Sequence, residues 1–86
     1  MYYVYILKSL KDKKLYIGYS DNLQRRIQEH IKGKVKSTKN RRPLVLVYYE
    51  AYKSKEDAKE REKQLKYFGK SYSQLKRKII KSTNNA

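Results

Sequence analysis

Cysteine is absent from these 86 residues, so neither a disulfide framework nor a cysteine-ligated zinc site can supplement the core. That leaves the redox compartment open, and a reducing cytoplasm is compatible. Long apolar runs are absent as well. Nothing approaches the ~18–20 consecutive residues that cross a bilayer, and the opening MYYVYILK has no basic stretch before its apolar one. The expectation is a soluble cytoplasmic protein with no membrane partner. Tryptophan is missing, and histidine occurs once, at His30. Acidic residues are scarce, 8 against 23 lysines and arginines, which leaves a formal net charge of +15.

What is present follows from that imbalance. A chain this short builds a modest core, because the fraction of surface buried on folding falls with size. The positive charge is regional: Lys32 to Arg42 (KGKVKSTKNRR) carries six basic and no acidic residues, and seven further basic residues but no acid follow Glu62. Ten tyrosines and one phenylalanine add flat groups able to stack on bases. Charge of this kind selects a polyanionic partner, and nucleic acid fits better than an anionic membrane surface. The plain alternative is that lysine serves solubility while most tyrosines pack in the core.

Periodicity divides the chain. Tyr2 to Lys8, rich in aromatic and β-branched side chains, predicts a strand, and Lys14 to Ser20 (KLYIGYS) a second strand that closes a hairpin. One face of the second strand is apolar (Leu15, Ile17, Tyr19), while the other offers Tyr16, Gly18 and Ser20, too small and polar for ordinary core. Asp21 or Asn22 can cap a helix to about Lys32, with Leu23, Ile27 and Ile31 as its buried stripe and Gly33 as its stop. Arg26 and His30 fall beside that stripe, one turn apart. Lys34 to Pro43 lacks periodicity and reads as a mobile basic loop, whereas the nearly continuous apolar run Leu44 to Tyr52 suits a central strand. Ser54 and Asp57 match a capping pattern, so a second helix starts near Lys55 with a stripe through Ala58, position 62 and Leu65. Position 62 is glutamate. Gly69 breaks that helix, Ser71 to about Lys81 predicts a third, and the whole reads as one α+β domain over residues 1–81 with a frayed tail at 82–86.

Helices packed on such a sheet can bring Tyr16, Arg26, His30 and Glu62 to one edge of the core. This set suits phosphodiester hydrolysis. An arginine fork binds the non-bridging oxygens on which charge builds, and a lone carboxylate suffices for Mg²⁺ when water and substrate phosphate complete its octahedral shell. A tyrosine is a poor base unless cations stabilise its phenolate, and His30 is the alternative proton acceptor or an orienting group. Each residue also has an ordinary reading. His30 can be a satisfied structural group, Tyr5 and Tyr16 can fill the sheet surface, and Arg26 can pair with Glu62 as a half-buried bridge. Gly18 is the clearest signal, since glycine inside a strand marks close approach by another group.

Taken together, YVYIL (Tyr3 to Leu7), YIG (Tyr16 to Gly18), RRIQEH (Arg25 to His30) and AKERE (Ala58 to Glu62) resemble the GIY-YIG nuclease family. The likeness is to its small stand-alone bacterial members, related to the N-terminal catalytic domain of the nucleotide-excision-repair incision subunit, and spans about Tyr2 to Ile80. It implies a three-stranded antiparallel sheet flanked by helices. It further implies metal-dependent cleavage of a nucleic-acid phosphodiester. The leading expectation is a Mg²⁺- or Mn²⁺-dependent endonuclease acting on DNA, in repair or recombination; the sequence does not settle DNA against RNA. By position Tyr5 and Tyr16 match the two motif tyrosines, Arg26 the catalytic arginine and Glu62 the metal-binding glutamate. His30 matches a histidine used by some members, and Gly18 the last motif glycine. Tyr3 departs from the first motif's glycine, and Tyr19 stands where some repair-type members carry lysine. Substrate contact falls to Gly18, Lys32, Lys34, Lys36, Lys39, Arg41 and Arg42. Because larger relatives attach domains that choose where to cut, three expectations stand for this chain: low intrinsic selectivity, selectivity for nucleic-acid structure, or a partner protein that supplies specificity. The rival readings are a nucleic-acid-binding module with little or no cleavage, and an accessory subunit of a repair complex.

Overall fold

The N-terminal aromatic and β-branched run forms strand β1 (Tyr2–Ser9) in a computed structural model, which describes residues 1–85. Leu15–Ser20 forms β2 and Leu44–Tyr52 forms β3, both antiparallel to β1, in the order β2-β1-β3. The central place expected for Leu44–Tyr52 therefore belongs to β1. Val4 to Leu7 are buried without interruption, whereas β3 is an edge whose Leu46 and Tyr49 stay exposed. Tyrosines explain the misleading pattern: a phenol counts as apolar in sequence yet keeps a polar tip that can face water.

Because β1 is covered on both sides, the sheet has two cores. Val4 and Ile6 pack with Ala58, Leu65, Leu75 and Ile79 on one face. Tyr5, Leu7 and Leu44 pack on the other, against Leu23, Ile27 and Tyr16. The first face is roofed by α2 (Lys55–Tyr67) and α3 (Gly69–Lys78), the second by α1 (Leu23–Ile31). The Asn22 side chain caps α1 by accepting from Arg25 N at 3.1 Å, and Ser54 caps α2 through Asp57 N at 3.3 Å. Gly33, at φ +76°, ends α1 in the left-handed conformation that only glycine adopts cheaply.

Four expectations need correction. Ile31 is 48% exposed, and His30 takes the buried place in the α1 stripe, because a spacing of three after Ile27 faces the sheet as well as a spacing of four. The segment after α1 is anchored rather than loose: Val35 and Thr38 are buried, Lys39–Arg41 makes a 3₁₀ turn, and Ser9 Oγ donates to Arg41 O at 2.6 Å. The break between α2 and α3 falls at Phe68, in extended backbone, while Gly69 begins α3. Of the residues 82–86 expected to fray, 82–84 belong to α4 (Ile80–Asn84), where Thr83 O accepts from Lys8 Nζ at 2.7 Å, and residue 86 lies outside the described residues.

One half-buried polar knot fixes α2 on the sheet. Arg61 forks Glu50 of β3 through Nε at 3.0 Å and Nη2 at 3.2 Å, and the hydroxyls of Tyr48 and Tyr52 donate to the same carboxylate. Burial raises the Glu50 pKa, but this fork and the two hydroxyls outweigh it and leave the group more acidic than usual. Arg61 precedes Glu62, so the knot also sets where Glu62 stands.

Candidate active site

Register brings the two motif tyrosines together. Tyr5 lies opposite Gly18 and Leu7 opposite Tyr16, so Tyr5 and Tyr16 share the face covered by α1. Gly18 is buried beneath the Tyr5 ring, and a Cβ there would overlap the phenol. The close approach signalled by that glycine is thus made by Tyr5. Tyr5 Oη meets His30 Nε2 at 2.7 Å, and His30 Nδ1 meets Thr38 Oγ1 at 2.7 Å. The Tyr5 and Tyr16 rings stand edge-on to the imidazole at 5.6 and 5.3 Å between centroids.

Burial decides the charge states in this cluster. His30 is fully buried, and its pKa is pushed down to about 4, first by desolvation and then by the Arg26 cation, against Glu29. Tyr5 is pushed up to about 12 by burial, which the neighbouring Arg26 opposes and the charges of Tyr16 and Glu62 reinforce. At neutral pH both are uncharged. Tyr16 keeps part of its surface in solvent, with Ser37 Oγ at 3.4 Å from its hydroxyl.

Arg26 and Glu62 do not bridge one another. Arg26 Nη1 pairs with Glu29 Oε1 at 3.1 Å, and Glu62 Oε2 with Lys66 Nζ at 2.9 Å. The half-buried bridge to Arg26 is thereby excluded, and Lys66 is the partner that Glu62 has instead. Glu62 is 19% exposed, and among the described residues it reaches the tyrosine cluster through its charge rather than through a hydrogen bond. Among the described residues no three acidic, histidine or cysteine side chains group to enclose a metal ion. A single half-buried carboxylate, Glu62, still fits an ion such as Mg²⁺, which keeps most of its water and takes substrate oxygens for the rest.

Arg26 opens onto a cleft of about 290 Å³ at the β2 edge, lined also by Arg25, Lys55, Lys59 and Glu29. Lys59 Nζ lies 4.4 Å from the centre of the Tyr19 ring. A cation from α2 therefore stands over the position where some repair-type members carry lysine. The basic segment divides by partner. Lys32, Lys34, Lys36 and Lys39 are exposed, but Arg41 Nε pairs with Asp12 at 2.9 Å and Arg42 Nε donates to Lys39 O at 3.0 Å. The Arg41 contact, helped by the Lys14 amide, pulls the Asp12 pKa down to about 2, so Arg41 locks the hairpin to this segment. Sequence reasoning missed Thr38, Arg25, Lys55 and Lys59. Capping and periodicity bear on helix ends and faces, and no local signal marks a residue that meets the site only through the fold.

A three-stranded antiparallel sheet in the order β2-β1-β3, with Tyr5 and Tyr16 on the face that α1 covers, is the architecture of a GIY-YIG domain. The model of the GIY-YIG catalytic domain family matches residues 1–77, and the chain belongs to that family of nuclease domains. Its relatives are small bacterial proteins. It is 49% identical over 80 residues to the UPF0213 protein SH2523 of Staphylococcus haemolyticus, covering 92% of this chain and 93% of that one. It is 46% identical over 67 residues to the UPF0213 protein CPE1444 of Clostridium perfringens, covering 77% and 71%. The solution NMR structure of the UPF0213 protein BH0048 from Bacillus halodurans superposes with a TM-score of 0.59 at 37% identity, over 100% of this chain and 95% of the other.

Proposed function

We propose that this protein is a divalent-metal-dependent endonuclease that hydrolyses phosphodiester bonds of DNA, in repair or recombination, with a partner protein supplying specificity. The observation that carries the reading is the cluster of Tyr5, Tyr16 and His30 with the Arg26 guanidinium beside it, Arg26 also lining a cleft in which Arg25, Lys55 and Lys59 outnumber Asp21 and Glu29. No helix among the described residues is long and apolar enough to cross a membrane, which accords with a cytoplasmic nucleic-acid enzyme.

The cleft receives the strand, with Lys55 and Lys59 on its α2 side and Arg25 on its α1 side. Arg26 exchanges Glu29 for a non-bridging phosphate oxygen, an exchange of one oxyanion for another that keeps its fork bonded. Tyr16, the more accessible phenol, takes the proton of the attacking water, since both His30 ring nitrogens are already engaged. Tyr5 and His30 hold that phenol and the Arg26 head in place. Glu62 would hold Mg²⁺ or Mn²⁺, which would neutralise the charge built on the phosphate.

A nicking assay on supercoiled DNA tests this. Cleavage should require added Mg²⁺ or Mn²⁺, stop with chelator, and fall by about 10²-fold or more in Tyr16→Phe, Arg26→Ala and Glu62→Gln. Equal activity in all three variants rejects the site. Tight binding without product, whatever the metal, would favour the rival reading of a binding module.

A further inference from the structure

The segment that carries Lys34, Lys36 and Lys39 also carries a buried threonine, and that threonine touches the imidazole at the centre of the cluster. We propose that Thr38 is a positioning residue for the Tyr5–His30 pair: its hydroxyl oxygen accepts the Nδ1 proton of neutral His30 and so leaves Nε2 bare to accept from the Tyr5 phenol. The consequence for rate rests on the nuclease reading; the tautomer does not.

Three observations point this way. Thr38 and His30 are fully buried and Tyr5 is 1% exposed, so bulk water does not substitute for either 2.7 Å contact. A neutral imidazole carries one ring proton, hence one ring nitrogen donates and the other accepts. Tyr5 Oη has Arg26 on one side, which can only donate, and His30 Nε2 as its hydrogen-bond partner, so the phenol proton has the imidazole as its acceptor. Reversing the tautomer would strand a buried phenol O–H, a stronger donor than the aliphatic hydroxyl stranded otherwise. Burial keeps His30 uncharged at neutral pH, which removes the case of two donating nitrogens.

Thr38 is itself held. Its amide donates to Val35 O at 3.1 Å, and its carbonyl accepts from Arg41 N at 2.9 Å. The imidazole is thus oriented by a segment outside its own helix, and that segment is pinned to the hairpin through Arg41 and Asp12.

Because the chain holds one histidine, ¹⁵N NMR of the imidazole reads the tautomer without assignment ambiguity. In the wild type at pH 7, Nδ1 should show the shift of a protonated ring nitrogen and Nε2 that of a bare one. Thr38→Ser should keep this pattern, and Thr38→Val should lose it. In metal-supported single-turnover nicking, Thr38→Val should slow the chemical step by about tenfold or more at unchanged substrate affinity, and Thr38→Ser should recover it. A wild-type spectrum with the proton on Nε2 overturns the proposal, as does Thr38→Val with the wild-type pattern and full rate. Should Thr38→Val fail to fold, the wild-type and Thr38→Ser spectra decide alone. Should the wild type fail to cut, the nuclease reading fails while the spectra still judge Thr38.

Discussion

A histidine on the flank of a surface helix ordinarily titrates near neutrality, but sealed beneath Tyr5, Tyr16 and Thr38 the His30 imidazole resists protonation down to about pH 4. The unfolded chain takes that proton near pH 6.5, so between these values it binds more protons than the folded one. Stability therefore falls as pH drops from about 6.5 to 4, by up to roughly 3 kcal/mol. Urea denaturation at pH 7.5 and 4.5 should show this loss in the wild type and a smaller one in His30→Gln. Gly18 makes a steric counterpart. Gly18→Ala places a methyl group in the Tyr5 phenol, and the overlap should cost about 1–3 kcal/mol and detach the ring from His30. A thermal melt and the His30 ¹⁵N spectrum read both effects. The tyrosine and glycine were legible in sequence because a strand alternates by two, so an odd face of small and polar groups stands out. His30 was legible as a position and not as a buried one, since burial depends on what covers the helix.

At the scale of elements, α1 and α2 pack on opposite faces of the sheet and are fixed by different means. Helix α1 is held by Leu23, Ile27 and the His30 bonds. Helix α2 is held by Ala58 and Leu65 and by the knot of Arg61 on Glu50. Glu50→Gln keeps the shape but leaves a half-buried guanidinium without its counter-charge, and should cost roughly 3 kcal/mol. Chemical denaturation measures that loss; a variant as stable as the wild type would show that the knot adds nothing to α2. The starts of both helices were readable from Asn22 and Ser54, because a cap is a bond within three residues. The edge position of β3 was not, because a run of tyrosines looks the same whether one face or both are covered.

Across the whole molecule, the charge gathers into a cleft with Arg25, Arg26, Lys55 and Lys59, and an outer segment with Lys32, Lys34, Lys36 and Lys39. If about six of these neutralise phosphates, log affinity for duplex DNA should fall against log salt with a slope near −5. Lys36→Gln should make the slope shallower by about 1. Arg41→Gln should leave it nearly unchanged and weaken the hairpin instead, since Arg41 already has Asp12. Fluorescence anisotropy across a salt series measures all three, and a slope near zero would remove both surfaces from the nucleic-acid interface.

The sequence by itself determined the α+β class, the hairpin, the helix caps and the residue types available for chemistry, because each depends on neighbours a few positions away. Tertiary structure alone decided that β1 is central, that Arg26 and Glu62 take separate partners, and that Thr38 meets His30, which in turn meets Tyr5 across 25 residues. Those outcomes follow from which surfaces cover one another, and strand order and burial are properties of the packed chain that spacing along it does not encode.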